Sequence, residues 1–181
     1  MDHVLSNLSL PWFLAFDSAL MYHRSKTILS DHIDVGVYID DLVRKRIFHE
    51  ELMNAMAAYH FKPAVKHGRM NDGQEWVVTC PKQDVRINLF VFYRIDASLK
   101  AKKIYRRWAA LYHGRCAQMP GGKCRVGFSD FPLQKFLMHK KSFYVPSEQF
   151  LVEHYGTNWV ESYEFNAQRP ADRMINLIEK Y

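Results

Sequence analysis

The run Val85-Arg86-Ile87-Asn88-Leu89-Phe90-Val91-Phe92-Tyr93 constrains this chain more than any other stretch. It is rich in β-branched and aromatic residues, holds no glycine or proline, and predicts a strand. Period-two alternation puts Val85, Ile87, Leu89, Val91 and Tyr93 on one face and Arg86, Asn88, Phe90 and Phe92 on the other. Asn88 is then a polar side chain in an otherwise apolar strand. An isolated amide there costs free energy unless it is hydrogen-bonded, so something polar must lie beside it.

The clearest companion strand runs from Ile33 to Ile39. Ile33, Val35, Val37 and Ile39 share one face, and Asp34, Gly36 and Tyr38 the other; a strand reaching back to His32 adds that ring to the second face. The simplest partner for Asn88 is this strand, with His32 and Asp34. Asp31 adjoins His32 but faces the other way on a regular strand, and only a bulge would turn it inward.

The rest of the chain alternates short elements. Trp12 to Phe16 predicts a first strand, and Phe48 to Phe61 a helix with Phe48, Leu52, Met53, Met56 and Tyr59 on one side. A strand from Phe61 to Val65, ending before His67-Gly68, the turn Asn71-Asp72-Gly73 and a strand from Glu75 to Cys80 make a hairpin. Lys100 to Arg115 fits helix or strand equally. Pro120-Gly121-Gly122 is a loop and Phe143 to Val145 a short strand. Ser147 to Tyr155 is a helix with Ser147 as N-cap and Gly156 just past its end. A last helix is expected from Pro170, burying Met174, Leu177 and Ile178. There is no internal repeat, low-complexity tract or linker. The expectation is one domain over residues 1–181, of mixed α/β (α+β) class, with a small twisted sheet and flanking helices.

A formal net charge of +6 attracts anions, whether nucleic acid, phosphorylated substrates or acidic membrane surfaces. Lys100, Lys102, Lys103, Arg106 and Arg107 surround Ile104, Tyr105 and Trp108, which suits a nucleic-acid-binding module or a solvated face over core aromatics. Three cysteines, Cys80, Cys116 and Cys124, exclude a complete disulfide framework. One bridge is open to them, and so is zinc with His113, although no Cys-x-x-Cys pair is present. Leu8 to Ala19 is broken by Pro11 and Asp17 and is too short to span a membrane, and no signal peptide is visible, so the chain as given is expected to be soluble.

Two longer stretches carry a resemblance. Phe16-Asp17-Ser18-Ala19-Leu20-Met21-Tyr22-His23-Arg24, followed by His32-Ile33-Asp34-Val35-Gly36-Val37, resembles the LicD/fukutin family, in which a Gly-Thr-x-Leu-Gly-x-x-Arg turn precedes an Asp-x-Asp-x-Gly strand. Val85 to Tyr93 looks like that family's next strand, which bears a third aspartate. Tyr144-Val145-Pro146 and Tyr155-Gly156-Thr157-Asn158-Trp159 are similar to its closing segments. The resemblance implies a nucleotidyltransferase-like fold that moves a phosphorylated alcohol, such as ribitol phosphate or phosphocholine, from a CDP-linked donor to a glycan or glycoprotein. It implies carboxylates holding Mg²⁺ or Mn²⁺. Asp34 matches a ligand position, Ser18 and Arg24 match the turn, and Arg24 is expected at a donor phosphate. Two expected aspartates are replaced, by His32 and Asn88, and Asp17 stands where the turn has its first glycine. Ligand charge on this reading falls from about −3 to about −1. The alternative is a non-catalytic member that binds a glycan or nucleotide, or serves as scaffold for an active relative. By resemblance the compartment is the secretory pathway and Golgi if fukutin-like, or the cytoplasm if LicD-like. Tyr155, Gly156 and Trp159 are expected to be a helix-end packing motif.

Overall fold

The computed structural model describes residues 1–28, 30–95, 104–112, 122–138, 140–161 and 176–180. Its centre is the parallel pair β2 (His32–Tyr38) and β5 (Val85–Arg94), with Asp34 directly opposite Asn88. Parallel neighbours need a long crossover. Here it runs through α3 (Ile39–Arg44), α4 (His49–Ala58) and the hairpin β3 (Lys62–Arg69) and β4 (Asp72–Cys80). β4 pairs antiparallel with the first half of β5, from Cys80 opposite Val85 to Glu75 opposite Phe90. β6 (Arg107–Tyr112) takes the same edge beyond it, from Phe92 to Arg94.

β7 (Lys123–Phe128) and β10 (Leu177–Lys180) extend the sheet past β6, and β1 (Phe13–Leu14) closes its other side against β2. A separate hairpin, β8 (Leu133–Met138) and β9 (Lys141–Pro146), precedes α5 (Glu148–Tyr155). α1 (Asp2–Asn7) and α2 (Phe16–Ser25) flank β1 in sequence.

The alternation of β2 and β5 divides the apolar residues into two cores. Val35, Val37, Ile87, Leu89 and Val91 face one, with Leu52 and Met56 of α4, Leu42 of α3, and Val4 and Leu5 of α1. Leu52 and Met56 are removed from water, worth roughly 1.5–3 kcal/mol each, and this pins α4 to the sheet. Trp76 is buried on the same side and donates its indole N–H to His49 Nδ1 at 2.9 Å. The second core is aromatic: Phe13, Phe16, Phe90, Phe92, Phe128, Phe131 and Phe150 pack together, with Phe128 and Phe150 stacked at 4.4 Å. Asp34, Gly36 and Asn88 point to this second side. A Cβ at Gly36 would run into the rings of Phe13 and Phe92, so only glycine allows them to close over β2.

The mixed α/β class and the faces of β2 and β5 follow the sequence expectation. Several elements differ. Lys100 to Arg115 resolves in its described part as strand β6. β3 continues through His67-Gly68 to Arg69, because Gly68 takes φ +68° at an irregularity in the pairing with β4. Leu177 and Ile178 lie in strand β10 and not on a helix, with Leu177 opposite Val126 of β7 and Ile178 at a shift in the register; Pro170 and Met174 lie outside the described residues.

Cys80 is a free thiol in the first core, whereas Cys124 is disulfide-bonded and sits in the second, across the sheet. These two cannot share a zinc ion; His113 and Cys116 lie outside the described residues. Tyr105 and Trp108 are buried, so in its described part the basic cluster offers no exposed aromatic platform for stacking bases. Lys100, Lys102 and Lys103 lie outside the described residues. No described helix is long and apolar enough to cross a membrane.

Candidate functional site

Asp34 is fully buried at the start of β2, and the first turn of α2 is built around it. The backbone of Ala15 donates to the Asp34 carbonyl at 2.9 Å, continuing the β1–β2 pairing by one residue. Phe16 then takes φ 40°, which reverses the chain and brings Asp17 back over β2. The Asp17 N–H donates to Asp34 Oδ2 at 3.2 Å, and the Asp34 N–H donates to the buried Ser18 hydroxyl at 2.8 Å. The helix start thus places one N–H, that of Asp17, on a carboxylate, the favourable sign for that end of a helix. From β5, Asn88 Nδ2 donates to Asp34 Oδ1 at 2.8 Å. That is the polar partner which the sequence required for Asn88.

Two further side chains complete the cluster. Tyr155, at the end of α5, donates its hydroxyl to Asp17 Oδ1 at 2.6 Å. This leaves Asp17 Oδ2 turned toward His32 Nε2, 3.8 Å away. His32 Nδ1 meets the exposed Asp31 carboxylate at 2.8 Å and the Ser30 hydroxyl at 3.2 Å. One donor atom each from Asp17, His32 and Asp34 lie within 4.8 Å of one another.

The Asp17 carboxylate raises the pKa of His32; burial opposes it and Asp31 adds to it. The hydrogen bond from His32 in turn lowers that of Asp31. A histidine whose folded-state pKa is raised adds stability that is complete below its unfolded value, about 6.5. That stability is lost as pH rises through the folded value. His32→Gln is therefore expected to lower the melting temperature at pH 5.5 and to have a smaller effect at pH 8.5, measured by thermal denaturation at both. An equal loss at both pH values would show that the pair with Asp17 contributes nothing through charge.

His32, Asp34, Asn88 and Ser18, all singled out in the sequence, come together here. Arg24 does not join them as a free phosphate contact. Its Nε and Nη2 donate to the backbone carbonyls of Trp159 and Glu161, each at 2.6 Å, tying the end of α2 to the turn after α5. Asp17 was the residue not foreseen. Aligned on a glycine, it looked like a departure from the turn, and only the left-handed backbone before it directs its carboxylate inward. Tyr155, expected to be packing, also reaches the cluster. With Asp17 included, the donors carry −2 around a neutral imidazole and not −1.

The donor set suits a divalent ion of oxygen-preferring to intermediate character. Metal–ligand bonds of about 2.0–2.2 Å in an octahedron put neighbouring donors about 3 Å apart and opposite ones about 4.2 Å apart. Bringing the three atoms to such spacing takes shifts of around an ångström or less. Carboxylate oxygens have lone pairs left after accepting one hydrogen bond, so the bonds from Asn88, Tyr155 and Asp17 N–H leave ligating capacity. No protein-family model matches the chain, and no curated protein matches it.

Proposed function

We propose that this domain is a divalent-metal-dependent phosphotransferase of the LicD/fukutin type, passing a phosphorylated alcohol from a CDP-linked donor to a glycan acceptor. The observation that carries the reading is the convergence of Asp17, His32 and Asp34 within 4.8 Å at the head of β2. It is supported by the order of the motifs along the chain and by Asn88 lying opposite Asp34, where the family's third aspartate is expected. Asp17, His32 and Asp34 would hold Mg²⁺ or Mn²⁺, which when bound neutralises diphosphate charge. The chain's own residues set the rest. Asn88 and the Asp17 N–H fix the plane of the Asp34 carboxylate, and Tyr155 fixes that of Asp17. An imidazole in the donor set favours Mn²⁺ over Mg²⁺.

A second reading, a non-catalytic member that binds a nucleotide or glycan, is favoured by one contact. The amide of Asn88 occupies Asp34 Oδ1 as a donor, where an aspartate would offer another negative ligand. Calorimetric titration of Mn²⁺ and Mg²⁺, with and without CDP-ribitol, separates the two. Transferase function requires saturable Mn²⁺ binding, tighter than Mg²⁺, that strengthens nucleotide binding and falls about tenfold or more in Asp17→Asn. Nucleotide binding without any metal response would leave the non-catalytic reading, and absence of both would overturn the transferase reading and the nucleotide-binding form of the second.

A further inference from the structure

At the opposite end of β2 lies an open polar pocket of about 380 Å³ lined by Tyr38, Asp40, Asp41, Arg44, Arg94 and Arg107. It sits beyond the carboxyl ends of the parallel strands β2 and β5, where open α/β sheets hold ligands. Tyr38 and Asp34 are four residues apart on the same face of β2, or about 13 Å along the strand. Between them the rings of Phe13 and Phe92 close over Gly36, so the two sites are separate.

Three arginines stand against two aspartates in the lining, with Asp130 beside it, and the contacts show which guanidinium is left short of hydrogen-bond acceptors. Arg44 is paired with Asp41, and Arg94 Nε donates to Asp40 Oδ2 at 2.8 Å. Arg107 makes only two looser ion pairs, with Asp40 and Asp130, and among the described residues no hydrogen bond to a carboxylate. Its nearest carboxylate oxygens, on Asp40 and Asp130, are each 3.8 Å away, beyond hydrogen-bond reach. Its Nη1 is shut off from solvent and makes no hydrogen bond. The guanidinium carbon sits over the Tyr38 ring, 4.1 Å from its centre, which holds the guanidinium beside the Tyr38 side chain. Burial raises the pKa of the Tyr38 hydroxyl to about 12, so it stays a neutral donor. A buried guanidinium N–H without an acceptor is costly, and it is rare unless something supplies the acceptor.

We propose that this pocket binds a small oxyanion, a phosphate or carboxylate group on a polyol, gripped by the fork of Arg107 and the hydroxyl of Tyr38. Charge-assisted bonds to a planar fork are the strong, geometrically selective kind. Asp40 and Asp41 line the same space and accept from hydroxyl groups beside the oxyanion. They also repel a ligand of high negative charge, which selects a sugar phosphate or sugar acid over a polyanion. The volume lies at the lower end of the range for small-molecule pockets, suited to a ligand of that size.

The test is titration of the full chain with inorganic phosphate, glycerol 3-phosphate and glucuronate, following the Arg107 Nε–H resonance by NMR and the dissociation constant by calorimetry. The expected result is saturation by glycerol 3-phosphate, by glucuronate or by both, which assigns the oxyanion. Arg107→Lys, which keeps the charge and loses the fork, should weaken binding about tenfold. Tyr38→Phe, which removes only the hydroxyl, should weaken it about threefold to tenfold and serves if Arg107→Lys fails to fold. Asp34→Asn should leave the affinity unchanged, whatever becomes of the metal site. No saturation by any probe, unchanged affinity in both pocket variants, or loss of binding in Asp34→Asn would each overturn the proposal.

Discussion

Asp34→Ala is expected to abolish divalent-metal binding and to lower the stability of the domain, whereas Asp34→Asn abolishes the first and largely spares the second. Asp34 is fully buried, and its two oxygens accept from Asn88 Nδ2 and from the Asp17 N–H. Alanine removes both acceptors, at about 1–3 kcal/mol for each donor left unpaired. Two carboxylates within a few ångströms also repel, by up to about 4 kcal/mol in an effective dielectric of 20, and both substitutions relieve that repulsion. Comparing alanine with asparagine cancels the relief and isolates the cost of the unpaired donors. Asparagine keeps an acceptor for the Asp17 N–H, and Asn88 can turn its amide over to accept from the new NH₂. In Asp34→Ala/Asn88→Leu the unpaired amide is gone, so much of the lost stability should return while metal binding does not. Affinity for Mn²⁺ should fall about a hundredfold or more in all three, since loss even of a group that only orients a ligand costs 10- to 100-fold. Urea denaturation and calorimetry read the two effects separately. Equal stability of Asp34→Ala and Asp34→Asn would mean that the hydrogen bonds to Asp34 contribute little.

The lateral position of that site was legible because it depends on period two alone. An amide in an apolar run and an aspartate in another run announce a strand pair, and Asn88 and Asp34 do lie opposite each other. The α4 stripe was legible at its centre for the same reason, by period 3.6: Leu52 and Met56 are buried, whereas Phe48 and Tyr59, expected on the same side, flank the helix and are exposed. What failed depended on contacts far away in sequence. Leu177 and Ile178 fit the end of a helix by spacing, and only the pairing of β10 with β7 makes them a strand. β7 itself alternates Cys124, Val126 and Phe128 into the core, but Lys123, Arg125 and Gly127 dilute the apolar pattern, and no element is assigned to the segment from its sequence. Arg24 fits a phosphate ligand by motif, and the turn it binds instead, at Trp159 and Glu161, is more than a hundred residues away. Asp17 depends on a single backbone angle one residue before it, which no periodicity encodes.

That angle gives the largest expected effect on stability. Phe16 is a bulky residue at φ 40°, a region that costs about 1–3 kcal/mol for any side chain with a Cβ. The conformation persists because the ring is locked on several sides. It lies 4.7 Å from Phe90, 5.7 Å from Phe150 and 5.1 Å from His154, and is 1% exposed. Phe16→Ala loses this packing and keeps the strain, so the expected cost is about 3–5 kcal/mol. Phe16→Gly loses the same packing but removes the strain, and should be about 1 kcal/mol more stable than Phe16→Ala. This reverses the usual order of the two residues near a helix start, because glycine is ordinarily the worse helix former. The same comparison reads the site. If the packed ring is what aims Asp17 at His32, both variants lose Mn²⁺ affinity, and the more stable glycine variant does not regain it. A glycine variant less stable than the alanine one would mean that the backbone at residue 16 is unstrained. The orientation of Asp17 would then have to come from Tyr155 alone.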